Sequence, residues 1–181
     1  FRFFAATSLR KGIVPLWNPY VFGGTPFLAD SQAAIFYPVN LFLTLLATPV
    51  YLSYRAAEWA VVIHFLLAAV FMYLYARTMR ISSFGSLVSA IVFAFGGAMV
   101  SHVRHLPILN VVIWLPLILL FLEKGFGSRR LIYAIPAGLA LGASILGGHL
   151  QMVLYVFYAV LGYGLFRIYT LQRGSEKPRE L

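Results

Sequence analysis

Cysteine is absent from this chain of 181 residues. That excludes disulfides and thiolate metal sites, and leaves the redox compartment open. Charge is scarce: 10% of residues are Asp, Glu, Lys or Arg, against roughly a quarter in a soluble globular domain. Only five residues are acidic. The formal net charge of +9 does not point to nucleic acid, because no basic stripe with interleaved aromatics accompanies it. No phosphate-cradling loop is present either: Gly23-Gly24-Thr25-Pro26 has no Lys-Ser/Thr following in register. Internal repeats and low-complexity tracts are missing. The chain opens on Phe1 without a cleavable signal pattern and ends in a polar stretch over residues 173–181. Both ends are expected to be cut, with an N-terminal span missing.

What the sequence has in abundance is apolar surface, at 61% of residues. A helix needs ~20 mostly apolar residues to cross the hydrocarbon core of a bilayer. Five stretches are expected to do so: residues 56–75, 83–103, 108–122, 131–146 and 150–168. The third and fourth are short, so their ends are expected to run into flanking polar residues. The fold class read from this pattern is an all-α integral membrane protein. It comprises a bundle of about five transmembrane helices plus an outer re-entrant or amphipathic segment.

Residues 1–54 differ in kind. Pro15, Pro19, Pro26, Pro38 and Pro49, with Gly12, Gly23 and Gly24, rule out a regular span there. Residues 1–10 read as a short amphipathic helix with Phe1, Phe3 and Phe4 in the membrane interface and Arg2, Arg10 and Lys11 in water. Residues 41–47 read as a second surface helix. The chain therefore divides into a loop segment over 1–54, a helical bundle over 55–172 and a polar tail over 173–181.

Loop charges set the orientation. Arg77 and Arg80 follow the first span, and Lys124, Arg129 and Arg130 follow the third. The loop after the second has Arg104 alone, and the turn at Gly147-Gly148 has no charge. The positive-inside rule puts the basic side and the tail in the cytoplasm of a bacterial inner or plasma membrane, and residues 1–54 outside.

With that orientation, the unusual polar residues fall on the outer side. They are Trp17, Asn18, Tyr20, Asp30, Gln32 and Tyr37, then His102, Arg104, His105 and Asn110, then His149 and Gln151. Ionisable groups at a membrane edge are costly and tend to be functional. Each also has a plain structural reading. Trp17, Tyr20 and Tyr37 suit an interfacial aromatic belt. Asn18 before Pro19 is a turn initiator. Asp30 can cap a helix starting near Ser31, or serve as an acid/base partner or metal ligand. His102 and His105 are three apart and can share a helix face. With Arg104 they suit a phosphate, whereas zinc lacks a third ligand. His149 and Gln151 stand where the dipole of a helix N-terminus favours an anion. Within the spans, Glu58 can pair with Arg55, and His64 reads as a satisfied bundle contact. Gly138-x-x-x-Gly142 reads as a close-packing pattern, with Gly96, Gly97, Gly147 and Gly162 in the same role.

The runs Gly12-Ile-Val-Pro-Leu-Trp-Asn-Pro-Tyr20, Phe22-Gly-Gly-Thr-Pro-Phe27, Asp30-Ser-Gln32 and Phe36-Tyr-Pro38 resemble the bacterial YfhO membrane protein family. Phe95-Gly-Gly-Ala-Met-Val-Ser-His102 with His105, and Gly148-His149-Leu-Gln151, resemble two further elements of that family, in order. Leu150 stands where the second of these has proline. The resemblance implies a type-C glycosyltransferase-like bundle of which this chain is a fragment. Such an enzyme takes a sugar from a polyprenyl-phosphate carrier and transfers it to a cell-envelope glycan or polymer acceptor on the outer face. It implies a main catalytic carboxylate upstream of this chain, with Asp30 as an auxiliary acidic group. The expected substrate contacts are Trp17, Asn18, Tyr20, Gln32, His102, Arg104, His105, His149 and Gln151. A metal site is not expected from these residues, although a divalent ion as cofactor stays open. The partners implied are the lipid-linked sugar, its acceptor and membrane lipids, without nucleic acid. Two other classes remain open: a transporter or flippase of lipid-linked intermediates, and a non-catalytic membrane scaffold subunit.

Overall fold

The computed structural model describes residues 2–46 and 55–175. Among these no strand forms; the one extended pairing is an isolated antiparallel bridge between Asn18 and Thr25. Residues 2–46, called the outer segment from the sequence expectation alone, begin with α1 (Arg2–Arg10). Two short 3-10 turns follow, Phe27–Ala29 and Ser31–Ala33, and then α2 (Pro38–Leu46). The bundle runs through α3 (Arg55–Thr78), α4 (Ser83–Phe95), α5 (Gly97–Ser101), α6 (Leu106–Val112), α7 (Leu115–Ser128), α8 (Ala134–Leu146) and α9 (Leu150–Ser175).

Local sequence explains where these helices start and break. The α3 stretch has 24 residues with neither proline nor glycine. Glu58 in its first turn and Arg77 in its last complement the helix dipole. Ser82 caps α4 by accepting the Gly85 N–H at 3.1 Å. Pro116 has no N–H to give to the turn before it, and the helix breaks between α6 and α7. Ser144 Oγ donates to the Val111 carbonyl at that break, at 3.1 Å. A broken helix inside a bundle needs such outside partners for its backbone.

Four helical stretches are long and apolar enough to cross a membrane: Glu58–Thr78, Ser83–Ser101, Leu106–Ser128 and Leu150–Arg173. The third is longer than expected from the sequence, because it continues through both sides of the break. Residues Leu131–Leu146 form a shorter apolar helix. Their α8 portion is about 20 Å long, against a hydrocarbon core of about 30 Å. Of the five expected spans, four therefore qualify and one is short. The buried share of these stretches is small, from 39% of the Leu106–Ser128 window down to 6% of the Leu150–Arg173 window. Apolar helices that turn such faces outward are suited to lipid rather than water.

The chain doubles back at each loop, so α3, α6–α7 and α9 run one way and α4 and α8 the other. The most extensive pairing is α3 with α4, and α3 also packs on α7, which contacts α8 and α9. Small residues make these approaches possible. Ala68 and Ala94 are fully buried in one cluster with Met99, Leu109 and Ile113. Val111, Ile118, Ala140 and Val156 form a second cluster between α6–α7, α8 and α9. Of the glycines expected to pack closely, Gly147 does so, since an added Cβ would come within 2.9 Å of the Asn110 backbone and the Val111 side chain of α6; at Gly138, Gly142, Gly97 or Gly162 it would meet nothing within 4 Å. Alanines face the neighbouring helices instead.

The outer segment folds onto the end of the bundle that holds the α5–α6 loop and the α8–α9 turn. Its own small core joins Ala5, Phe27 and Ile35, with Phe4 packed against them. Phe4 was expected in the membrane interface. Its ring instead meets Phe27 edge-on at 5.2 Å and Tyr20 at 6.1 Å. Phe1, the side chains of Arg2 and Phe3, and residues 176–181 of the tail lie outside the described parts of the structure.

Candidate functional site

The sequence-selected residues fall into three groups at that same end. The first is the loop before Phe27. Asn18 is buried, exchanges both backbone hydrogen bonds with Thr25, and its Oδ1 accepts the Tyr20 N–H at 3.0 Å. It is a turn-former held by its side chain. Trp17 lies over Gly24, where any Cβ would come within 2.5 Å of the indole. Tyr20 is 84% exposed and its neighbour Phe22 94% exposed. Apolar rings standing that far out belong in an interface, not a core.

The second group joins the outer segment to the α8–α9 turn. Asp30 caps the Ser31–Ala33 turn, its Oδ1 accepting the Gln32 N–H at 3.0 Å. Gln32 itself is exposed. Behind them Gly148, at φ +89°, presses on the Ser31 backbone; a Cβ there would sit 2.2 Å from the Ser31 carbonyl oxygen. Both the positive φ and the contact demand glycine. Asp30, Ser31, Phe36, Ile145, Leu146 and Gly148 line a cleft of about 160 Å³. His149 follows at the head of α9. Its Nδ1 accepts the Met152 N–H at 3.3 Å, which in the neutral ring leaves Nε2–H available. Gln151 donates to the Tyr155 hydroxyl at 2.7 Å.

The third group is the α5–α6 loop. His102 and His105 do not share a helix face: His102 closes α5 and His105 opens α6. His102 Nδ1 lies 2.7 Å from the Ala98 carbonyl, a contact in which the ring must donate. Arg104 and His105 are exposed, and among the described residues neither side chain has a hydrogen-bond or ion-pair partner. Among the described residues no hydrogen bond joins this loop to the Asp30 turn.

Comparisons with protein-family models, with curated proteins and with solved structures find no match.

Asn110, expected in an outer loop, is instead buried within α6, where its Nδ2 donates to the Gly147 carbonyl at 3.2 Å and its Oδ1 has no partner. Arg55 and Glu58 are both exposed and do not form the expected pair; among the described residues the ion pair is Glu123–Arg167. Also among the described residues, no group of three His, Asp or Glu could hold a metal ion. The three groups of selected residues therefore offer the carboxylate of Asp30, the guanidinium of Arg104 and imidazole N–H groups.

Two polar networks were not assembled by sequence reasoning. Tyr37, His64 and Trp114 meet in the interior. The His64 Nδ1–H faces the Ala60 carbonyl, so in the neutral ring Nε2 accepts the Tyr37 O–H at 2.9 Å. The Trp114 Nε1–H donates to the Tyr37 oxygen at 3.2 Å. Burial pushes the Tyr37 phenol well above its ordinary range, and the Trp114 hydrogen bond offsets part of that. His64 is thus a satisfied contact that pins the outer segment to α3. At the other end, Arg167 Nη2 reaches Glu123 Oε1 at 2.7 Å, and the Tyr163 hydroxyl donates to Oε2 at 2.6 Å. A signal existed for this pair: charges inside apolar stretches need partners.

Proposed function

We propose that this chain is part of a type-C glycosyltransferase-like membrane enzyme that works at the bundle end opposite the basic loops. In this reading it transfers a sugar from a polyprenyl-phosphate carrier to a cell-envelope acceptor on the outer face of a bacterial inner membrane. The observation that carries the reading is the junction of the Asp30 turn with the Gly148–His149 turn. There the Asp30 carboxylate lines a cleft that Gly148 also lines, and His149, next in the chain, keeps its Nε2–H free of the Met152 contact made by Nδ1. Arg104 and His105, whose side chains have no hydrogen-bond or ion-pair partner among the described residues, stand at the same end and suit a phosphate. The resemblance of the Asp30-Ser-Gln32 and Gly148-His149-Leu-Gln151 runs to the YfhO family supports the same assignment.

In the proposed step an acceptor hydroxyl oxygen attacks the anomeric carbon of the sugar as the bond to the lipid phosphate breaks. A carboxylate takes the hydroxyl proton, with Asp30 as an auxiliary acidic group in a larger bundle. Arg104 and the histidine N–H groups stabilise the charge that builds on the departing phosphate. Trp17 and Tyr20 offer aromatic walls for lipid or sugar.

Sugar transfer from labelled polyprenyl-phosphate hexose tests this in membranes holding the full-length protein. Asp30→Asn preserves the cap, because Asn and Asp cap equally well. We expect it to lower transfer at least tenfold with protein levels unchanged. Arg104→Ala and His149→Ala should each lower transfer by about the two to three orders expected for one lost charge-stabilising donor. Unchanged transfer in all three would reduce these residues to caps and turns. No transfer by the wild type would favour a transporter or a scaffold subunit.

A further inference from the structure

We propose that the groove between the second half of α7 and the start of α8 holds one anionic phospholipid, acyl chain inward and phosphate on Arg129 and Arg130. The groove encloses about 350 Å³, within the range of sites that bind small molecules. Its walls are Phe121, Leu122 and Phe126 of α7, Tyr133 in the connecting turn, and Leu171 of α9. Arg129 and Arg130 stand at its rim, both exposed, and neither has a hydrogen-bond or ion-pair partner among the described residues.

Charge complementarity identifies the occupant. Among the described residues Glu123 is the acidic residue at this end of the bundle, and both of its oxygens are taken, by Arg167 and Tyr163. The two arginines are left as an unbalanced double positive charge, with exposed Lys124 close by in the chain. They lie where the stretch Leu106–Ser128 ends, the depth at which a bilayer places its phosphates. Basic pockets between transmembrane helices on the positively charged side select anionic headgroups. Free phosphate would use the arginines and leave the apolar walls bare. A soluble protein would have to reach a groove that opens along helices facing hydrocarbon. Arg129 also closes α7 at φ +54°, a conformation that glycine adopts more readily, so the guanidinium stands at a corner of the chain that helix termination alone would give to glycine.

The test is lipid retention by the full-length protein in detergent, read by native mass spectrometry. The probes are phosphatidylglycerol, a zwitterionic phosphatidylcholine and inorganic phosphate. We expect one phosphatidylglycerol held in preference to the other two. Arg129→Gln with Arg130→Gln should weaken it roughly thirtyfold. Ala134→Phe, at an exposed position lining the groove, keeps both charges and should weaken it by filling the space for the chain. Equal retention of phosphatidylcholine, or no change in the double variant, would overturn the proposal. So would retention unaffected by Ala134→Phe, since that outcome means headgroup attraction to a basic loop without a seat for the chain. The site does not depend on the proposed transfer reaction, and its failure would leave that reading untouched.

Discussion

At the bundle end that carries the outer segment, neighbouring elements are joined by uncharged hydrogen bonds, whereas at the basic end an ion pair joins α7 to α9. Tyr37, His64 and Trp114 link the outer segment, α3 and the α6–α7 junction, and Asn110 ties α6 to the carbonyl of Gly147. Glu123 and Arg167, with Tyr163 on the second carboxylate oxygen, do the corresponding work at the other end. Neutral groups cost less to bury than charges, and they suit an interior position such as that of His64. A charge pair suits a position that is not fully buried, and the arginine side chain is still 23% exposed. The contrast teaches that the outer end is built for shape, with backbones in contact at Gly148 and Ser31. The basic end is built around charge, and two exposed arginines there, Arg129 and Arg130, have no ion-pair partner among the described residues.

The largest effect should come from Glu123→Ala. It strands Arg167 partly buried, and losing one partner of such a pair costs about 3 kcal/mol. The expected result is a clear drop in the thermal unfolding midpoint in detergent, without new protease cleavage in residues 11–33. Cleavage there would mean that the two ends are not separate units. Gly148→Ala comes next, at about 2 kcal/mol, because it combines a disfavoured φ with a collision against the Ser31 backbone. Limited proteolysis should show the outer segment released while the apolar helices stay resistant. Combining Glu123→Ala with Gly148→Ala should give the sum of the single effects within about 0.5 kcal/mol. Tyr37→Phe should cost the least, at about 1 to 2 kcal/mol, since it removes one hydroxyl and leaves His64 Nε2 and the Trp114 N–H without their shared partner. A variant as stable as the wild type would show that the hydroxyl does not fasten the outer segment.

Much of the architecture was legible because a bilayer makes harsh demands. Long apolar stretches can only be helices there, and prolines placed every few residues over 15–38 can only be irregular. Local caps were legible for a related reason: Asn18 and Asp30 act on backbone N–H groups two residues away, so the sequence shows both ends of each contact. Contacts between distant residues were not legible in that way. Tyr37 bonds to His64 across 27 positions, and Trp114 to Tyr37 across 77. The three look like separate belt and bundle residues until the fold brings them together. Gly138-x-x-x-Gly142 failed in the opposite direction. A spacing shows that two glycines share a face, but only the fold decides whether a neighbouring helix covers it.

The sequence by itself determined the solvent and the helical class, because hydropathy and proline placement act locally and do not depend on what packs where. It also determined which end of the bundle carries the unusual polar residues. Only the tertiary structure decided which of them meet. It seated the Asp30 turn on Gly148, kept Arg104 and His105 in a separate loop, moved Asn110 into the interior and left Arg129 and Arg130 beside an apolar groove. Those outcomes depend on the relative placement of helices far apart in the chain, set by buried alanines and crossing hydrogen bonds that no short motif encodes.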